Sequence, residues 1–131
     1  MSKQFIVAKT FEHLIDCFCP EGDHAESIII HKTDIIEVKE DRKFVMDNGW
    51  YSLVVINNQW FLYMAIEDLE HYFNRNYLYS MLDIELKINY LQFQVNQALD
   101  EGNEALFINS TSRLNDISDL LGILNEANQT I

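Results

Sequence analysis

The chain has 131 residues with one proline, four glycines, 48% hydrophobic side chains and 12% aromatic ones, which is too apolar for a disordered or fibrous protein and suits one compact domain or two small modules. Its 21 acidic side chains stand against 9 basic ones, a formal charge of −12. Phosphate backbones are held by lysine and arginine, so this balance argues against direct binding to nucleic acid and against an anionic membrane surface.

At the amino end, Phe5-Ile6-Val7-Ala8 reads as a strand. Four apolar residues before Lys9 fall short of the roughly 7 to 15 in a signal-peptide core, and no later run approaches the roughly 18 that would span a bilayer. Residues 10–16 fit either a short helix capped by Thr10 or a strand. Residues 27–31 read as a strand, Lys32-Thr33-Asp34 as a turn, and residues 35–39 as a strand ending in the charged tip Glu40-Asp41-Arg42-Lys43. Phe44-Val45-Met46 leads into Asp47-Asn48-Gly49, a turn signal because Asn and Gly tolerate positive φ. Residues 50–56 and 59–64 flank Asn57-Asn58, which suits a hairpin with a two-residue primed turn. Neither arm alternates with polar residues, so both sheet faces are expected to be covered.

From Ile66 the period becomes helical, with Ile66, Leu69, Tyr72 and Phe73 on one face and Asn74-Arg75-Asn76 as a break. Tyr77, Met81, Ile84, Ile88, Leu91, Val95 and Ala98 then recur at spacings of four and three, a heptad seam that predicts one long helix. Gly102 can end it in the left-handed conformation, and Asn103 can cap a second helix. Phe107, Ser110, Leu114, Ile117, Leu121 and Leu124 form the facing seam. Two helices of about 24 residues, each roughly 36 Å long, are thus expected to fold back as an antiparallel hairpin. Leu82, Leu86, Tyr90 and Phe93 lie off the seam as a second apolar stripe, which must cover the sheet or pair with another copy. The expected class is α+β: an amino-terminal antiparallel sheet of four to six strands in residues 1–65, then a helical region in 66–131 ending in the hairpin. Residues 1–65 carry six basic and ten acidic side chains, and 66–131 carry three and eleven, so the acidity concentrates in the helical half.

Residues 94–107, continuing through Ser112-Arg113-Leu114-Asn115, resemble the IDEAL domain, a short helical module found in small proteins of low-GC Gram-positive bacteria. In Val95-Asn96-Gln97-Ala98-Leu99, Ala98 and Leu99 match the five-letter motif, Val95 replaces its isoleucine, and Asn96 and Gln97 are amides where it has two acids. The Gly102-Asn103 turn and the pair Leu106-Phe107 also fit. The likeness covers residues 88–128, about a third of the chain. It implies a bacterial or phage regulatory or accessory protein that works by protein contact, and it carries no catalytic residues.

Four metal-capable side chains, His13, Cys17, Cys19 and His24, fall within twelve residues, an inventory that could complete a zinc tetrahedron. Their spacing matches no familiar knuckle, and on a strand Cys17 and Cys19 are small buried hydrophobes sharing a face. Cys17 and Cys19 are also too close for an unstrained disulfide, which points to a reducing cytoplasm. His13 would share a face with Cys17 as a catalytic pair only on a helix. No phosphate loop, nucleophile elbow or His-Glu-x-x-His pattern occurs.

Partner binding is the better expectation. Tyr77 and Tyr79 follow the helix break, where exposed tyrosines would make anchors. The aromatics Trp50, Tyr51, Trp60, Phe61, Tyr63, Tyr72 and Phe73 are assigned mostly to the core. The stripe Leu82, Leu86, Tyr90 and Phe93, with the carboxylates Asp83, Glu85, Asp100, Glu101 and Glu104, is the candidate contact surface. Those carboxylates either solvate the helices or present an anionic face to a basic groove. The expected function is therefore a small acidic cytoplasmic regulator without enzymatic activity or cofactor, acting through a protein partner and able to form a homodimer. A nucleic-acid-mimicking inhibitor, a zinc module and a small-ligand pocket lined by the sheet aromatics are the alternatives.

Overall fold

The computed structural model describes residues 3–15 and 26–129, and the chain divides into two compact units, Met1–Tyr79 and Ser80–Ile131. The class is α+β, as the periodicities indicate. The first unit runs through β1 (Lys3–Val7), β2 (Phe11–Ile15), β3 (Glu26–Ile30), β4 (Ile35–Val45), β5 (Gly49–Ile56), β6 (Trp60–Ala65), α1 (Ile66–Asn74) and β7 (Leu78–Tyr79). Five strands make an antiparallel sheet in the order β6-β5-β4-β1-β7, and β2 pairs with β3 as a separate ribbon. Helix α1 carries the chain from one sheet edge to the other. Four strand spacings are roughly 19 Å, which its nine residues, about 13.5 Å long, span with the short segment before β7.

The register places Val7, Ile36, Val54, Ile56 and Met64 on one sheet face, where Ile30 of β3 and Leu69 of α1 close over them as one core. Each such fully buried aliphatic contributes about 1.5–3 kcal/mol. Ile6 beside Val7 and Val55 beside Val54 are buried as well, so both faces of the sheet centre are covered, as the lack of alternation in β5 requires.

One open alternative is resolved and several local expectations change. Residues 11–15 are strand, pairing Phe11 with Ile30 and His13 with Ile28, because the ribbon offers partners that an isolated short helix lacks. The charged segment after Lys39 is not a hairpin tip. Strand β4 continues through it with a register shift, Val38 opposite Val54 and Arg42 opposite Ser52, which makes a bulge with the charged side chains outward. The β5–β6 loop has three residues, not two, since Ile56 pairs with Trp60. Asn57 and Asn58 both adopt positive φ, 52° and 58°. The change of period at Ile66 marks the start of α1, whereas the compact units divide after Tyr79.

The second unit is a helical hairpin of α2 (Met81–Glu101) and α3 (Glu104–Gln129). Tyr77, assigned to the seam by its spacing, lies before β7, and α2 starts later behind a capping box. The Ser80 hydroxyl accepts from the Asp83 N–H at 3.1 Å, and the Asp83 carboxylate accepts from the Ser80 N–H at 2.9 Å. Gly102 ends α2 at φ 65°; its own N–H reaches the Leu99 carbonyl, and the Asn103 N–H reaches that of Ala98, a Schellman arrangement. Asn103 then caps α3 through the Leu106 N–H at 3.0 Å. Ile84, Leu91 and Ala98 of the first seam are buried, as are Ser110, Ile117 and Leu124 of the second. Leu120 is also buried, while its neighbour Leu121 is half-covered.

Candidate functional site

At 100° per residue, Leu82, Leu86, Tyr90 and Phe93 fall roughly opposite the seam of Ile84, Leu91 and Ala98 around the α2 axis. A residue on that side cannot turn into the hairpin interface. All four are between 57% and 64% exposed. Scattered surface leucines are ordinary, but four large apolar groups in line over three turns make a continuous patch. The Tyr90 hydroxyl accepts from the Gln94 amide at 2.9 Å, which ties the ring to the next turn and lowers the entropy lost when it is covered. Residues 88–99 contain no charged side chain in a chain that is 23% charged. Charge depletion around aromatic anchors characterises the centre of a protein interface rather than a solvated helix face.

The carboxylates named from the sequence stand at the ends of this patch. Asp83 is committed to the Ser80 cap, and Glu101 accepts from the Gln97 amide at 3.2 Å. Asp83 and Glu85 flank the stripe on its two sides. Glu85, Asp100 and Glu104 are exposed. Asp100, Glu101 and Glu104 stand around the hairpin turn, beyond Phe93.

Tyr77 and Tyr79 are half-buried in the first unit. The Tyr77 ring stacks on Phe11 at 5.2 Å, and Phe11 packs on Tyr72 at 4.4 Å; Tyr79 pairs with Ile6 in the sheet. These rings touch one another too closely to leave the gap a bound cation would need among them. Beside them His13, 2% exposed, hydrogen-bonds through Nδ1 to the Tyr72 hydroxyl at 2.7 Å. Glu12, Asp68 and His71 rim a groove of about 650 Å³ over this cluster. Among the described residues no three His, Cys, Asp or Glu side chains come together as a metal site. Cys17, Cys19 and His24 lie outside the described residues.

The sheet aromatics are less buried than their composition suggests. Tyr51 is buried, but Trp60 and Phe61 are each 67% exposed, and Phe44, Met46 and Trp50 project at the β4–β5 end. The cause is position: β6 is an edge strand, and the Phe44–Trp50 pair sits next to the hairpin turn. Trp60, Phe61 and Leu62 wall a groove of about 530 Å³ with Ile28, Ile29 and Ile56. Two of its polar side chains, Asp34 and Asn57, are engaged in the local turns. Asp34 accepts from the His31 N–H at 2.8 Å and from the Asn57 amide at 3.1 Å, and Asn57 accepts from the Ile35 N–H at 2.8 Å. The His31 side chain is the remaining polar group of an otherwise largely apolar groove.

Comparisons with protein-family models, with curated proteins and with solved structures find no match to this chain. No described helix is long and apolar enough to cross a membrane.

Proposed function

We propose that this protein is a non-enzymatic regulatory or accessory factor of the cytoplasm that acts by binding protein, with the outer face of α2 as its docking surface. The observation that carries the reading is the exposed line of Leu82, Leu86, Tyr90 and Phe93 opposite the packed seam.

The inhibitor reading, in which the acidic helices imitate nucleic acid, has weaker support. The second unit holds eight carboxylates and two basic side chains on helices of 21 and 26 residues. Duplex DNA presents about one charge per 1.7 Å of axis, several times that density. The middle of α2, where a basic groove would be met, is uncharged.

The test is photo-crosslinking in the cells that make the protein, with a photoreactive phenylalanine at position 90 or 93 and a control at Asn115 on α3. The expected result is a discrete protein adduct from positions 90 and 93 that disappears when Leu86→Glu is added. Adducts only from position 115, or adducts indifferent to Leu86→Glu, would remove the stripe as the docking surface.

A further inference from the structure

Resting on the reading of the α2 face as a docking surface, we infer that its occupant is a second copy of this chain, packed antiparallel through the same stripe about a two-fold axis level with position 88 along α2. The spacing of the stripe supplies the first argument. Leu82, Leu86, Tyr90 and Phe93 are separated by four, four and three residues, nearly symmetric about position 88. When the helix is reversed on itself, Leu86 falls opposite the partner's Tyr90, and Leu82 opposite the partner's Phe93. The two leucines of one copy then meet the two rings of the other. Each ring then faces a leucine along the whole contact, and a two-fold interface requires such self-complementarity.

Charge supplies the second argument. The same reversal sets Asp83 beside the partner's Gln94 and Glu85 beside the partner's Gln92, acid against amide on both flanks. A parallel pair would instead crowd Asp83 and Glu85 of both copies at one end, at a cost in like-charge repulsion. In an otherwise acidic protein the charge-free run of residues 88–99 lets two such surfaces approach. The area is consistent with a reversible dimer. The four side chains present roughly 500 Å² per copy, about 1,000 Å² in all, at the lower bound of specific interfaces. A contact of that size belongs with weak, reversible associations, for which micromolar concentrations are the range to search.

Sedimentation equilibrium of the full chain from about 1 to about 300 μM covers that range. The expected result is a monomer–dimer equilibrium whose dissociation constant rises at least about thirtyfold in Leu86→Glu, because each dimer would bury two unpaired carboxylates. Leu86 is exposed, so the variant keeps its fold, which circular dichroism checks. Register is tested in a Cys17→Ser, Cys19→Ser background by oxidising Leu82→Cys and Phe93→Cys chains alone and mixed. The antiparallel pair joins the two different chains and leaves Leu82→Cys chains unlinked, since two copies of position 82 lie roughly 18 Å apart, far beyond disulfide reach. A Leu82→Cys chain that links to itself overturns the antiparallel arrangement. A dimer unaffected by Leu86→Glu overturns the stripe as its interface. A monomer at the highest concentration overturns the second copy as occupant, and a surviving crosslink from position 90 to a different protein would then keep the docking surface and reassign its partner.

Discussion

The Nδ1 atom of His13 lies 2.7 Å from the Tyr72 hydroxyl, joining β2 to α1 across 59 residues of sequence. The histidine is buried, and the tyrosine ring also packs on Phe11, so the bond locks the β2–β3 ribbon to the helix that closes the core. Tyr72→Phe keeps the ring and removes this bond. The expected loss is about 1–2 kcal/mol, a fall of at least about 4 °C in melting temperature for a unit the size of Met1–Tyr79. An unchanged melting temperature would show that the pair contributes nothing to docking the ribbon.

The two asparagines of the β5–β6 loop separate conformation from hydrogen bonding. Both have positive φ, but only Asn57 holds the neighbouring turn, through the Ile35 N–H and Asp34. Asn58→Gly keeps the backbone geometry at little cost and is expected to be neutral or slightly stabilising. Asn57→Gly loses two hydrogen bonds and is expected to cost about 1–2 kcal/mol. Urea unfolding of the two variants measures the difference, and equal effects would contradict it.

Gly102 tests the hairpin turn. At φ 65° it has nothing within 4 Å of where a Cβ would stand, so Gly102→Ala meets no clash and incurs only the conformational penalty of the left-handed region. That is about 1 kcal/mol, read as a lower urea midpoint with unchanged slope.

These features differ in how far they could be read along the chain. Gly102 and Asn103 act within one turn of their own helix ends, so local residue chemistry suffices to find them. The seams of α2 and α3 were legible because their period spans many residues. Strand β7 was not: Leu78 and Tyr79 have two ladder partners, Val7 and Ile6, supplied from the far end of the chain. The same non-locality turned residues 11–15 into strand and took Tyr77 out of the helical seam and onto Phe11. The exposure of Trp60 and Phe61 comes from strand order, which no pattern within β6 encodes. For the proposed docking surface, the stripe could be read from spacing, whereas its exposure depends on which side of α2 meets α3.

Salt dependence separates the two uses of the acidic helices. Contact through the apolar stripe, with carboxylates at its ends, is expected to hold or strengthen as sodium chloride rises, because screening weakens repulsion between two acidic chains. Binding to a basic groove would weaken steeply over the same range. Sedimentation at about 0.05 and 0.5 M salt, roughly a threefold change in screening length, decides between them. Loss of association at high salt would count against the stripe.

Ser110 is fully buried in the hairpin seam, and its hydroxyl reaches the Gln94 side-chain oxygen only at 3.5 Å, the outer limit of a hydrogen bond. A hydroxyl so placed gives up much of its hydration for a weak contact. Ser110→Ala removes that cost, and alanine is also the better helix former. The variant is expected to be about 0.5 kcal/mol more stable than the parent. Ala98→Leu in the facing seam, where the native side chain is equally buried, inserts three heavy atoms into the packed seam and is expected to cost about 1–3 kcal/mol. The two substitutions should therefore move the unfolding midpoint in opposite directions. If Ser110→Ala instead destabilises by a kilocalorie or more, the hydroxyl holds the hairpin together and the seam is not a purely steric fit.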